Sequence, residues 1–439
     1  MFGEKLTELF MLLFCEKNSD GTRVLRLKGR DLFQRTGKRI GDGDMYNITQ
    51  FLRKYPEVIK LDLCYNEIGD DGMHVFVEEY LSFENNLLHL NLVGNNIGYV
   101  GVARICCMAS TLKLKSLRLG GNKIGGQGGM YVSKMLEKTS SLEYVDLGDT
   151  DMNLGGFMHI MGVIRHDRGV NKTLRIIDFS RLICTCKSYQ LDSAHLAENL
   201  GDMLKVTPTL LELHAQKNEL DGHDIELMLI GMSKNNTLLL LDIGFNRFGD
   251  HGIELLANWL KEKPALVGLN VAGSGIKNTG ARALSFGLPF SKVKLLDITF
   301  NKIENRGMLD ILNSIKKPYP MRLFYIWGNP ISEPSLKIIQ RMLRSGVLIQ
   351  DYMDIRLYTV DGVIYHAFHP VDHFKQKYYC VMDHGCPVFL KIRRNIIEDP
   401  YAQPRALIKF KHYPRIPGAN FNLSPKPPIC DPKSPSTCL

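Results

Sequence analysis

The sequence predicts an α/β solenoid in which each repeat contributes one short parallel strand and one helix. The first observation is the segment Leu61–Gly72, whose pattern L-x-L-x-x-N-x-I-G-x-x-G returns at Leu90–Gly101, Leu117–Gly128 and Leu241–Gly252. The second is the spacing of its asparagine, which advances by 27–29 residues over most of the chain. The third is the helical spacing of apolar residues after the motif, as in Ile253–Leu260.

A strand, turn and helix with this consensus form a leucine-rich repeat, in which each unit packs only on its neighbours. Leu61 and Leu63 alternate with outward residues, so one side of the strand is buried. Asn66 is expected to bond backbone groups that the turn leaves unpaired. Its register recurs at residues 66, 95, 122, 150, 182, 218, 246, 274, 301 and 329, and an earlier strand at 24–27 makes about eleven repeats.

The residues that precede each helix suggest how the helices begin. Asp70, Asp250, Asn278 and Asn305 stand at one register, immediately before the helical spacing of apolar residues starts. Because Asp and Asn side chains accept hydrogen bonds from the first N–H groups of a helix, we expect each of them to cap the helix that follows it.

The chain divides into four segments according to where the period holds. Residues 1–22 are predicted to form an N-terminal capping helix, and residues 23–346 the leucine-rich-repeat solenoid. Residues 347–398 are predicted to form a C-terminal cap containing a hairpin with its turn at Asp361-Gly362. Residues 399–439 form a basic, proline-rich tail that is expected to be extended or disordered. Within the solenoid, the extra residues at 184–190 are expected to leave the stack as a loop.

Composition and charge indicate a reducing compartment and no membrane segment. Ten cysteines in 439 residues are too few for a disulfide framework, and no stretch approaches the length of a membrane span. Residues 391–439 contain nine Lys or Arg and three Asp or Glu, so this segment accounts for +6 of the formal net charge of +9. Nucleic acid is not the expected partner of this tail, because no aromatic platform accompanies its charges.

The sequence contains no recognisable catalytic or cofactor motif. The glycine-rich segment 120–126 lacks the order of a phosphate-binding loop, and its residues follow the repeat register. A group of histidines and cysteines has residue types that suit zinc but matches no standard zinc spacing: His366, His369, His373, Cys380, His384 and Cys386. We therefore predict a non-enzymatic protein without a cofactor, and a zinc site at this group is the lesser alternative.

The candidate partner-binding surface lies on the strand-lined face. Four residues before each asparagine register lies an outward strand position, and aspartate occupies five of these ten positions. Small residues two positions later leave space, and aromatic anchors lie nearby. The predicted partner-binding residues are Asp62, Tyr65, Asn91, Arg118, Asp146, Asp178, His214, Asp242, Phe245, Asp297, Phe300, Tyr325 and Trp327. An open acidic stripe predicts a basic, partly apolar protein segment as its ligand; the alternative is that these aspartates are solvated repeat residues.

The period and the helix in each repeat are similar to the long repeat subtype of ribonuclease inhibitor and the Ran GTPase-activating proteins. This resemblance implies a horseshoe, with parallel strands on the concave face and helices on the convex face. It also leaves a GTPase activator or an enzyme inhibitor as an alternative function. The basic tail and the small number of cysteines argue against that alternative.

A more specific resemblance is carried by Tyr325-Ile326-Trp327-Gly328-Asn329 and by Val360–Tyr365, together with Ser140–Asp149 and Lys377-Tyr378-Tyr379. These stretches resemble the leucine-rich repeat-containing protein 34 family over roughly residues 20–380. The resemblance implies a non-catalytic scaffold in the cytoplasm and cytoskeleton, located in the motile-cilium axoneme near the radial spokes. The alternative that it implies is a nuclear or nucleolar scaffold in ribosome assembly or stem-cell maintenance. Expected partners are axonemal or radial-spoke subunits, with tubulin as a candidate for the basic tail.

Overall fold

Short strands that follow one another at the repeat period form a single sheet. In the computed structural model, the residues described are 6–165, 167, 169, 171–182, 192–315, 321 and 323–369. Strands β2 to β12 are parallel, each paired with the next in chain order, and β1 joins β2 antiparallel. The strands are β1 Cys15–Lys17, β2 Arg23–Arg26, β3 Val58–Asp62, β4 His89–Asn91, β5 Ser116–Arg118, β6 Tyr144–Asp146, β7 Ile176–Asp178, β8 Glu212–His214, β9 Leu240–Asp242, β10 Gly268–Asn270, β11 Leu295–Asp297 and β12 Leu323–Tyr325.

A layer of helices packs against one face of this sheet. The helices are α1 Glu8–Leu13, α2 Gly29–Thr36, α3 Met45–Lys54, α4 Asp70–Phe76, α5 Tyr99–Cys107, α6 Gly125–Lys138, α7 Leu154–Ile164, α8 Ser193–Val206, α9 Gly222–Met232, α10 Gly249–Lys261, α11 Asn278–Gly287, α12 Asn305–Ser314 and α13 Glu333–Arg344. From α3 to α13, each helix packs on the next. Consensus residues such as Leu61, Leu63, Ile68 and Phe76 are fully buried between strand and helix. The predicted α/β leucine-rich-repeat solenoid is confirmed.

The asparagine register joins consecutive repeats, as the consensus predicts. Asn95 is buried, and its side-chain amide donates to the carbonyl of Leu92 in its own repeat and to that of Leu63 in the preceding one, at 2.9 and 3.0 Å. Its Oδ1 accepts the backbone N–H of Ile68, also in the preceding repeat, at 3.1 Å. Asn66, Asn122, Asn246, Asn301 and Asn329 make the same three kinds of bond.

The helix-capping prediction is wrong in direction. Asp70 is the first residue of α4, and its Oδ1 accepts the N–H groups of Gly98 and Gly101 at the start of the next helix, α5, at 2.8 and 2.9 Å. Asn278 likewise bonds Glu304 and Gly307 at the start of α12. The physical reason is that stacked helices place their N-termini side by side, so these side chains reach the start of the next helix. Helices α7, α8 and α9 differ, because Asn153, Asp192 and Asp221 cap the helix that directly follows them.

Two additions cover the ends of the parallel sheet. At the N-terminal end, α1 is followed by β1, a strand that the sequence analysis did not foresee; it pairs with the outer edge of β2. At the C-terminal end, the side chain of Asp354 accepts the backbone N–H groups of Ile326 and Trp327 at 2.9 and 3.0 Å. That carboxylate stands where a further strand would present its carbonyl groups.

The hairpin expected at Asp361-Gly362 is present. Strand β13 spans Ile355–Val360 and pairs with β14 at Val363–Phe368, and both turn residues have positive φ angles of 52° and 82°. Positive φ at both central residues is the requirement of a type I′ turn. The rest of the predicted cap, the tail at 399–439, the 184–190 insertion, and His373, Cys380, His384 and Cys386 lie outside the described residues.

Candidate protein-interaction face

The predicted acidic stripe is buried. Asp62, Asn91, Asp146, Asp178, His214, Asp242, Asp297 and Tyr325 are all at most 9% exposed, and Arg118 is partly buried. The expectation that these side chains project into solvent is therefore wrong. Adjacent strands lie only about 4.8 Å apart, so side chains at the same register cover one another.

The carboxylates of the strand face accept hydrogen bonds from groups of the same face. Asp62 Oδ1 accepts the backbone N–H of Cys64 at 3.2 Å and the side-chain amide of Asn91 at 2.9 Å. Asp178 and Asp297 accept N–H groups two residues later in the same way. An aspartate at this register fixes its own chain as it leaves the strand. This hydrogen bond explains why aspartate occurs at the position, so no bound partner protein is needed to account for it.

Arginine and histidine side chains offset the buried negative charge. Arg118 Nε lies 3.2 Å from Asp146 Oδ2. Burial raises the pKa of Asp146 to about 6; nearby Asp178 adds to the increase, and Arg118 opposes it. In this part of the face, the partly buried guanidinium of Arg118 therefore offsets part of the charge of Asp146.

The densest polar cluster of the strand face surrounds His214. Its Nδ1 lies 3.1 Å from Asp242 Oδ2, and its Nε2 lies 3.7 Å from Glu212 Oε2. Asp242 also accepts the amides of Gln216, at 2.8 Å, and Asn270, at 2.6 Å. Burial alone lowers the pKa of His214, but its contacts with Asp242 and Glu212 prevail and raise it to about 10. The cluster thus holds a buried imidazolium, and sequence reasoning missed Glu212 and Gln216 as its members.

The exposed side of the face carries what we call the aromatic row: Tyr65, Phe245 and Phe300. Each directly precedes a register asparagine, has a left-handed backbone with φ of 54–60°, and is 39, 37 and 56% exposed, respectively. A non-glycine residue rarely holds this conformation, so the surrounding repeat must fix it. The backbone therefore presents these rings in defined positions at the edge of the sheet.

A glycine in the following repeat supports each ring of the aromatic row. A Cβ added to Gly94, Gly273 or Gly328 would lie 2.5–2.7 Å from the ring of Tyr65, Phe245 or Phe300, respectively. These glycines also have positive φ angles. Each aromatic side chain thus lies flat over the next turn of the stack. In the sequence, the detectable signal is an aromatic residue before the asparagine and a glycine at the same register one repeat later.

The structure brings the rings of Phe245 and Phe300 together. Their ring centroids are 6.2 Å apart, and the ammonium of Lys217 lies 5.5 Å from the Phe245 centroid. Trp327 instead packs against His366 and Phe368 of the C-terminal hairpin, and Tyr325 lies in a buried apolar cluster with Leu295 and Leu323. Partner binding by all thirteen residues stays a prediction, but only the three rings of the aromatic row offer substantial exposed apolar surface.

Metal ligation has no support in the part of the chain that the structure describes. Among those residues, no group of three or more His, Cys, Asp or Glu side chains is arranged to hold a metal ion. His366 packs edge-on against Trp327, and burial lowers the pKa of its imidazole. No helix among the described residues has the length and apolarity to cross a bilayer.

Comparison with known proteins finds relatives that contain leucine-rich repeats. A family model described as "Leucine Rich repeat" matches residues 84–106, 112–133, 234–257 and 291–312, the units that contain β4, β5, β9 and β11. Leucine-rich repeat-containing protein 34 of Mus musculus is 31% identical over 222 residues, covering 50% of this chain and 51% of that protein. The Homo sapiens protein of the same name is 29% identical over 43% of this chain and 40% of its own length.

The chain contains leucine-rich repeats and is similar to leucine-rich repeat-containing protein 34. It spans about half or less of the length of these relatives. Ribonuclease inhibitor of Sus scrofa is 23% identical over 62% of this chain and 58% of that protein. A solved internalin from Listeria monocytogenes aligns with 15% identity and a TM-score of 0.35 over 66% of this chain and 81% of that chain. The sequence similarity to leucine-rich-repeat proteins supports a protein-interaction scaffold, and no enzyme family is indicated.

Proposed function

We propose that this protein is a non-enzymatic scaffold of the motile-cilium axoneme, associated with the radial spokes, and that it holds a partner protein on Phe245 and Phe300 of the aromatic row. The axonemal assignment is supported by the resemblance to the leucine-rich repeat-containing protein 34 family at Tyr325–Asn329 and Val360–Tyr365. The binding assignment rests on a single observation: Phe245 and Phe300 are exposed, adjacent and held in position by their backbone.

The aromatic row changes the partner that we expect. Because the aspartates of the strand face are buried, they present no carboxylate stripe to a basic ligand. The rings of Phe245 and Phe300 are exposed, and the ammonium of Lys217 lies beside the ring of Phe245. Aromatic side chains contribute much of the binding energy at protein interfaces. The partner segment is therefore apolar at its centre, in place of the basic segment expected from the sequence.

The decisive experiment follows tagged protein in a ciliated cell. The test variant combines Phe245→Ala with Phe300→Ala. The control combines Phe286→Ala with Phe290→Ala, two exposed aromatics on the helix side. We expect the wild type and the control to be retained in demembranated axonemes and the test variant to be lost. Thermal melts check that both double variants fold, since exposed rings contribute little to stability.

Each contrary result overturns a different part of the proposal. Wild-type protein in the nucleolus rather than the axoneme would favour the nuclear alternative. Axonemal retention of the test variant at the wild-type level would remove the aromatic row from the interface. Acceleration of GTP hydrolysis by the purified protein would favour the GTPase-activator alternative.

A further inference from the structure

The first repeat carries a concentration of positive charge that the net charge of the body conceals. Residues 23–39 contain seven Lys or Arg and a single acidic residue, Asp31. This stretch includes β2, helix α2 and the loop after it. Helix α2 is an insertion at the edge of the sheet: a Cβ added to its first residue, Gly29, would lie 1.8 Å from the backbone oxygen of Tyr65.

Ion pairs within the chain satisfy only part of this charge. Arg23 pairs with Glu57 at 3.0 Å, Arg26 with Glu16 at 3.3 Å, and Lys28 with Asp62 at 3.8 Å. Arg39 approaches the exposed Glu67 only to 4.0 Å. Arg30, Arg35 and Lys38 are exposed, and the described residues provide no carboxylate within ion-pairing distance of them.

Aromatic rings hold the exposed arginines in place. The guanidinium carbon of Arg30 lies 4.2 Å from the ring centroid of Tyr65, and that of Arg39 lies 5.6 Å from the centroid of Phe33. Glu67, the ion-pair partner of Arg39, is two residues from Tyr65, so Arg30 and Arg39 both contact the turn that follows β3. Arg35 lies 5.2 Å from the centroid of Phe14.

Stacking leaves the N–H edges of a guanidinium directed away from the ring. A guanidinium held in this way can bind both oxygens of a carboxylate with little loss of side-chain freedom. Lys38 adds a flexible charge next to Arg39. These groups complement a row of carboxylates.

We propose that the α2 surface, formed by Arg30, Lys38 and Arg39 with Arg35 at its flank, binds an acidic peptide segment rich in Asp or Glu. Single-stranded nucleic acid is the less suitable ligand, because the rings of Tyr65 and Phe33 each have a guanidinium group over one face, which reduces the aromatic surface left for stacking with bases. The occupant is thus a carboxylate-bearing protein segment. This surface is separate from Phe245 and Phe300, so either site can fail without the other.

Fluorescence anisotropy with the full chain tests the proposal. The probe is a labelled peptide of roughly ten glutamates, measured at about 0.15 M salt, where surface charges more than about 8 Å apart are screened. The test variant combines Arg30→Glu with Arg39→Glu. The matched control is Arg247→Glu, an exposed arginine that pairs with Glu219 at the same edge of the sheet. We expect the test variant to bind at least about tenfold more weakly, with the control close to the wild type.

Two further measurements separate the stacked geometry from general charge attraction. Arg30→Lys keeps the charge but loses the planar fork, so it should weaken binding partway; Tyr65→Ala should do the same by releasing the guanidinium. Equal weakening by the control, peptide binding by the test variant at the wild-type level, or no binding by the wild type would each overturn the proposal. Tighter wild-type binding of a single-stranded RNA of equal charge, lost in the test variant, would assign the surface to nucleic acid instead.

Discussion

At the scale of single residues, one asparagine side chain links three backbone segments. The carbonyl of Leu63 accepts from Asn66 at 2.9 Å and from Asn95 of the next repeat at 3.0 Å, and the carbonyl of Leu92 is shared in the same way by Asn95 and Asn122. A carbonyl oxygen has two lone pairs, and this arrangement uses both. The repeats are therefore joined by side chains as well as by strand pairing.

Replacing Asn95 should measurably weaken the fold. Asn95→Ala leaves the buried N–H of Ile68 without its acceptor, so we expect a loss of about 2 kcal/mol in unfolding free energy, measured by urea denaturation. The adjacent Asn96 is exposed, and Asn96→Ala is the matched control, with an expected change below about 0.5 kcal/mol. Equal losses from the two variants would contradict the role of the register side chain.

His214 should make stability depend on pH. Its folded-state pKa of about 10 lies above the ordinary 6.5, so its stabilisation is complete below pH 6.5 and is lost as the pH rises through about 10. Between pH 7 and 9, this site should contribute at most about 1.4 kcal/mol per pH unit to the decline in unfolding free energy. We expect His214→Gln to flatten that decline, compared by chemical denaturation with the wild type and with a variant of the exposed His251, His251→Gln. Parallel pH profiles for all three proteins would show that His214 is not a buried imidazolium.

At the scale of elements, consecutive helices are joined at their N-termini by side chains from the previous repeat. The carboxylate of Asp70 at the start of α4 bonds the start of α5, and the amide of Asn305 at the start of α12 bonds Ser332 and Ser335 at the start of α13. A helix N-terminus leaves several N–H groups without partners inside the helix. At the starts of α5 and α13, the preceding repeat supplies such partners.

Removing one of these caps should weaken the contact between two helices. Asp70→Ala should lower unfolding free energy by about 1 kcal/mol, because the N–H groups of Gly98 and Gly101 lose their acceptor. Asp71→Ala removes an exposed carboxylate from the same helix turn and should change stability by only a few tenths of a kcal/mol. Thermal melts of the two variants compare these values, and a larger loss for Asp71→Ala would reject the proposed direction of capping.

The sequence is informative about elements that depend on their own repeat. Period and consensus predict the strands, the buried asparagines and the hairpin turn at Asp361-Gly362, because each follows from local chemistry. They do not predict β1, the insertion of α2, or the direction in which Asp70 caps. Those features depend on which groups meet across the stack. The same reason explains the strand face: alternation shows that Asp242 leaves the core side, but only its neighbours His214 and Asn270 reveal that it is buried.

At the scale of the whole molecule, a change in the stability of one repeat should affect mainly the repeats next to it. Each strand from β3 to β11 pairs with the strand before and the strand after it, and each helix from α4 to α12 packs on its two neighbours. In such arrays, stability is close to a sum of repeat and nearest-neighbour contributions. Damage to one repeat should therefore stay local.

Leu92→Ala tests how far damage spreads. Leu92 is fully buried, so the cavity should cost about 2–5 kcal/mol. In hydrogen-exchange mass spectrometry, amides of β3 to β5 and of α4 and α5 should exchange faster, and those of β10 to β12 should be unchanged. Leu13→Ala, which alters an exposed leucine of α1, should leave the exchange pattern of β3 to β12 as it is. An unchanged melt for Leu92→Ala would contradict its place in the core, and uniform acceleration would contradict the local transmission of stability.

The carboxylate of Asp354 takes the place of backbone carbonyl groups at the last strand of the sheet. Within the stack, the N–H of Ile298 donates to the carbonyl of Tyr325 at 3.0 Å; one repeat later, the N–H of Ile326 donates to Asp354 Oδ1 at 2.9 Å. A parallel sheet edge can otherwise template the addition of further strands, whether from the same chain or from another. By accepting those donors with a side chain, Asp354 leaves the N–H groups of Ile326 and Trp327 unavailable for pairing with a further strand.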